Sequence, residues 1–106
     1  MQFRGGMNEL VRQAQRMQRK IDDVKKGLKD KEVEGSAAGD KVKATVTCEG
    51  KVRSIVIDPE FLQSEGIEMA LDAATIAINA ALDSADKLVE GEISKVTGGV
   101  KIPGMS

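Results

Sequence analysis

Histidine, tryptophan and tyrosine are absent from this chain of 106 residues, and its aromatic side chains are two phenylalanines, Phe3 and Phe61. Without an imidazole there is no Ser-His-Asp or Cys-His relay and no histidine-bearing zinc site. Without tyrosine or tryptophan the chain is poorly supplied for stacking unpaired bases, which argues against sequence-specific recognition of single strands. The single cysteine, Cys48, excludes an intrachain disulfide and fits a reducing compartment. No apolar run approaches the roughly 20 residues that span a bilayer. The opening, with Arg4 before Gly5-Gly6, lacks the apolar stretch of a secretory signal. Gly5-Gly6 and Gly98-Gly99 match neither a phosphate-binding loop nor a dinucleotide fingerprint, and no cofactor, small-molecule substrate or membrane partner is expected. The length is that of one domain, residues 1–106, whose modest core a second copy would enlarge.

What is present begins with a periodic stretch from Met7 to about Asp30. Met7, Leu10, Ala14, Met17, Ile21, Val24 and Leu28 alternate in steps of three and four, the seam of a helix packed against another helix. No proline interrupts it, and Gln, Arg, Lys and Glu supply good helix formers. Arg12, Arg16, Arg19 and Lys26 then point away from the seam, with Asp23 the one acid in that line and Lys20, Lys25 and Lys29 beside it. A charged outer face is ordinarily only solvated surface. Here the sign is segregated. Residues 1–31 hold nine Lys and Arg against four acids, net +5, while the remainder holds seven bases against thirteen acids, net −6. The total of −1 would not suggest nucleic acid. The segregation does.

Beyond the helix the period changes to two. Glu32-Val33-Glu34 reads as a short first strand, with Gly35 to Asp40 as the turn. Lys41 to Cys48 alternates cleanly, Val42, Ala44, Val46 and Cys48 on one side and Lys41, Lys43, Thr45 and Thr47 on the other. Glu49-Gly50-Lys51 is a hairpin connection. Val52 to Ile57 is the third strand, with its Ile55-Val56-Ile57 end expected to be enclosed. Asp58-Pro59-Glu60 starts a helical turn that ends near Gly66. A long helix follows from about Ile67 to Lys95, and Gly98-Gly99 stops it. Its first half is apolar nearly all round and needs cover on every side. A three-stranded sheet covers one. The expectation is that the other meets a second copy, with Ala73, Ala74, Ala77, Ala80 and Ala81 allowing close approach. The fold class is α+β: a two-layer α-β-β-β-α unit, antiparallel sheet order 1-2-3, both long helices on one sheet face, dimeric. Residues 1–6 read as a flexible N-terminus and 97–106 as a C-terminal tail, and one end of the first helix should project past the sheet.

Smaller features weigh little. Asn8 near the helix start reads as a cap rather than a base reader. Asp83, Asp86 and Glu90 read as a solvated face rather than a metal site, and Cys48 as a buried structural thiol. Lys41 and Lys43 read as guards against sheet aggregation.

Gly5-Gly6-Met7-Asn8-Glu9-Leu10, followed by Gln13-Ala14-Gln15 and Met17-Gln18, resembles the opening of the YbaB/EbfC nucleoid-associated proteins of bacteria. Glu32-Val33-Glu34-Gly35, Ile57-Asp58-Pro59, Thr97-Gly98-Gly99 and Pro103-Gly104 extend the resemblance, in order, over nearly the whole chain. It implies a tweezer-shaped homodimer of the cytoplasm and nucleoid that binds double-stranded DNA. It also implies altered DNA conformation, a part in nucleoid organisation and gene regulation, and no catalytic residues or cofactor. Placed on the helix by charge, the DNA-binding candidates are Arg12, Arg16, Arg19, Lys20, Lys26 and Lys29. The alternative is a protein–protein adaptor that docks a partner helix on the seam without binding DNA.

Overall fold

The computed structural model describes residues 3–98, with side chains from residue 7 onward. Helix α1 (Phe3–Leu28) is followed by strands β1 (Glu32–Ala37), β2 (Val42–Thr47) and β3 (Val52–Ile57), and by helix α2 (Pro59–Thr97). The strands form an antiparallel meander in the order β1-β2-β3. The α+β layout is the one the sequence period indicates. Residues 1–2 and 99–106, and with them most of the expected tail, lie outside the described residues. Phe3 to Gly6, expected to be flexible, continue α1.

β1 runs to Ala37, three residues past its expected end. Gly35 sits inside it, opposite Ala44, rather than in the turn. A Cβ at Gly35 would collide with the backbone of α2 at the Ala77 carbonyl and the Ala81 nitrogen. Glycine is there because helix and strand touch backbone to backbone. The turn proper is Ala38-Gly39-Asp40, all left-handed, with φ of 54°, 59° and 68°. Asp58 caps α2 as expected, its Oδ1 accepting from the Glu60 N–H at 3.0 Å. At Gly66 (φ 88°, ψ 169°) the backbone leaves the helical region and kinks, separating the first turns from the long run. Gly98 (φ 64°) ends α2, its N–H donating to the Ser94 carbonyl.

The core is built from small residues. Ala70, Ala73, Ala74, Ala77, Ala81 and Ala85 of α2 are buried, and so are Val42, Ala44 and Val46 of β2. Apart from Ala70 these form two clusters along the helix, joined at the edges by Val33 and Ala37 of β1. Alanine side chains let α2 lie close over β1 and β2. β3 joins this packing only through Ile57. The expected enclosure of its apolar end is therefore corrected for two of the three residues: Ile57 is half-buried, but Ile55 and Val56 are 44% and 61% exposed, as is Val52 at the other end of the strand at 47%. Thr47, expected to face outward, is buried in the hairpin, where its Oγ1 accepts the Lys51 N–H at 3.1 Å.

α1 packs on α2, not on the strands, which corrects the expectation of two helices side by side on the sheet. Of its seam, Ile21 is fully buried and Met17, Val24 and Leu28 are half-buried, whereas Met7, Leu10 and Ala14 are exposed. From Met7 to Arg16 every residue is exposed. The helix is seated on the later half of α2 by its C-terminal turns and projects with the rest. At about 1.5 Å per residue α1 alone spans about 39 Å, and the molecule measures 75 × 20 × 17 Å.

Candidate nucleic-acid interface

The projecting half of α1 carries its charge on the side turned from the seam. Asn8, Arg12, Gln15 and Arg19 follow one another at intervals of four, three and four, a single line along a helix. Arg16 and Lys20 lie beside that line. Arg16 Nη2 meets Glu9 Oε1 at 3.4 Å, with both side chains more than half exposed. Such a pair contributes about 0.2–1 kcal/mol at most and yields readily to a phosphate. Arg12, Arg19, Lys20, Lys26 and Lys29 have no ion-pair partner among the described residues.

The platform differs. Arg53 reaches Asp30 at 3.8 Å and Glu32 at 3.9 Å. Lys41 pairs with Asp58 at 3.4 Å, Lys51 with Glu49 at 4.0 Å and Lys95 with Glu92 at 2.9 Å. From Arg12 to Lys31 one of eight basic residues is paired, while from Lys41 to Lys95 four of six are. Positive charge is thus segregated along the chain, and on the helix it is also unspent.

The six DNA-binding candidates divide into two groups. Arg12, Arg16 and Arg19 gather on one exposed surface with Glu9 and Gln15, and Lys20 follows on the same helix. Lys26 and Lys29 lie at the base of α1, where with Lys25 they line a groove of about 550 Å³ facing Asp86 and Glu90 of α2. Cys48 opens into the same groove and is half-buried rather than enclosed. Asp83, Asp86 and Glu90 are exposed, and the described residues contain no group of side chains suited to a metal ion. Among them, no helix is long and apolar enough to cross a membrane.

The alanines expected at a dimer contact have a different neighbour in the single chain. Ala73, Ala74, Ala77 and Ala81 are buried under the sheet, and Ala80 is half-buried. The apolar residues left open are the large ones: Ile67, Met69, Leu71 and Ile76 of α2, with Val52, Ile55 and Val56 of β3. The signal for this was in the sequence. Small residues mark the side of a helix that approaches a sheet, so the bulky residues interspersed among them mark the sides left open.

The fold and this surface define a class, an α-β-β-β-α platform with a projecting basic helix. The model of the YbaB/EbfC DNA-binding family matches residues 3–100, and the chain belongs to that family. A nucleoid-associated protein of Acetivibrio thermocellus is 44% identical over 104 residues, covering 97% of this chain and 92% of that one. A nucleoid-associated protein of Clostridium acetobutylicum is 38% identical over 101 residues, covering 95% and 90%. In fold the chain is similar to the crystal structure of an uncharacterized protein from Helicobacter pylori, with a TM-score of 0.54 at 19% identity, covering 86% of this chain and 91% of that one.

Proposed function

We propose that this chain works as a nucleoid-associated homodimer of the bacterial cytoplasm that binds double-stranded DNA mainly through the phosphate backbone. By binding, it alters DNA conformation and takes part in nucleoid organisation and gene regulation. Arg12 and Arg16 on the free half of α1, with Arg19 and Lys20 where it becomes seated, make the first contacts, and Lys26 and Lys29 lie at its base. The observation that carries this reading is the run of cations, all but Arg16 without an ion-pair partner among the described residues, on a helix projecting from an otherwise acidic molecule. Each phosphate neutralised releases condensed counterions, so affinity falls steeply with salt and depends weakly on sequence. The family description and the names of the relatives support the DNA partner.

The homodimer rests on the open apolar surface of β3 and α2. Six large apolar residues exposed at 44–60% (Val52, Ile55, Ile67, Met69, Leu71 and Ile76) are more than scattered single side chains. A second copy covering them gives two arms on one body. The test is a fluorescence titration of labelled duplex DNA over a salt series, with the protein's mass followed by sedimentation. One observation favours the adaptor reading: Met7, Leu10 and Val11, at 64%, 65% and 54%, leave an apolar strip on the arm for a partner helix. A folded dimer with no salt-dependent affinity for duplex DNA would select the adaptor.

A further inference from the structure

We infer that Gln15, with Asn8 two turns outward on the same line, reads the edges of A·T base pairs in the major groove, so that the arm adds a base preference to backbone binding. The inference rests on the DNA-binding reading above. An α-helix with its side chains is about 10–12 Å across, and the major groove of B-DNA is about 12 Å wide and admits one. Adenine offers an acceptor and a donor there, N7 and the N6 amino group, and a carboxamide supplies the matching donor and acceptor.

Several features of this chain place a carboxamide in that role. Gln15 is exposed midway along the line, three residues from Arg12 and four from Arg19, and its amide makes no hydrogen bond to another described residue. The nearest other amide toward the base, Gln18, is occupied, donating to Asp22 Oδ1 at 3.0 Å. Asn8 is free of the capping role its position in the sequence suggested, because α1 starts at Phe3 and Asn8 lies within the helix. The line also has an end. The carboxylates of Asp22 and Asp23 interrupt the line past Arg19, so the stretch that enters the groove runs from Asn8 to Arg19, and Lys26 and Lys29 beyond it meet only outer phosphates. That is about 17 Å at the helical rise, roughly five base pairs at about 3.4 Å each. Within it the guanidinium groups anchor the helix and the two amides face the bases.

The test is binding-site selection from a randomised duplex pool, run with the wild-type protein, Gln15→Ala and Gln15→Arg. Wild type should enrich an adenine at a fixed position, with discrimination of about 5- to 150-fold for one bidentate contact. Gln15→Ala should lose that preference while affinity for unselected duplex drops less than about threefold. Its salt slope should be unchanged, since no charge is removed. Gln15→Arg should move the preference to guanine. Wild-type binding without any enriched position, or the same enriched adenine in Gln15→Ala, overturns the inference and leaves the backbone reading standing. Failure of wild type to bind any duplex overturns both.

Discussion

Gly35 is the residue on which the two layers of the fold close. Any side chain there meets the backbone of α2 at Ala77 and Ala81, which cannot rotate away as a side-chain tip could. Gly35→Ala should therefore destabilise the chain by about 1–3 kcal/mol, the usual cost of overpacking, read as a lower midpoint in urea denaturation. Gly91 is the contrasting case. It lies inside α2, exposed, with open space where a Cβ would stand. Gly91→Ala should raise stability by about 1 kcal/mol through helix propensity alone. An unchanged midpoint in Gly35→Ala would mean that α2 does not ride directly on β1. The role of Gly35 was hidden in the sequence, because Gly, Ser and Ala between Gly35 and Asp40 have the composition of a turn. Three left-handed residues suffice to reverse the chain, and the rest of the stretch is strand.

At the scale of elements, α1 is divided into a seated half and a free half, and α2 into a small-residue face and a bulky one. The seam of α1 was legible, since steps of three and four identify a helix whatever covers it. How far the cover extends was not, because Met7 and Leu10 carry the same periodic signal as the buried Ile21. For α2 the reverse holds: an apolar run without a dominant period gives no direction, and the expectation that the alanines meet a second copy has no periodic signal to correct it. Packing assigns the alanines to the sheet because only they allow so close an approach. Ala77→Arg should therefore unfold the chain, since it buries a charge without a partner under the strands. Ile76→Arg should leave the circular-dichroism spectrum intact. A folded Ala77→Arg protein would contradict this division of α2. On α1, Arg12→Ala should lower the slope of log K against log salt by about 0.9 per contact, about 1.8 for a dimer with both arms engaged, without changing stability. An unaltered slope would remove Arg12 from the interface.

The whole molecule is a charge-segregated rod, with cations concentrated on one projecting helix and acids in excess on the body. On the proposed reading that arrangement would direct a duplex to the arm and repel it from the platform, which a uniform distribution of the same residues would not do. Two arms on one body would make the contact bivalent and increase apparent affinity without any new contact. This requires the apolar surface of β3 and α2 to be the subunit contact. Ile55→Lys combined with Ile76→Arg should give a folded monomer by sedimentation, with weaker DNA binding and roughly half the salt slope. A dimer that survives both substitutions would place the contact elsewhere. The most direct test of the central claim is a duplex-DNA titration across a salt series with the wild-type protein and with Arg12, Arg16 and Arg19 all changed to Glu. Expected are a steep linear fall of log K with log salt for wild type, and loss of binding in a triple variant that remains folded and dimeric. Equal affinity of the two proteins for duplex DNA would contradict it.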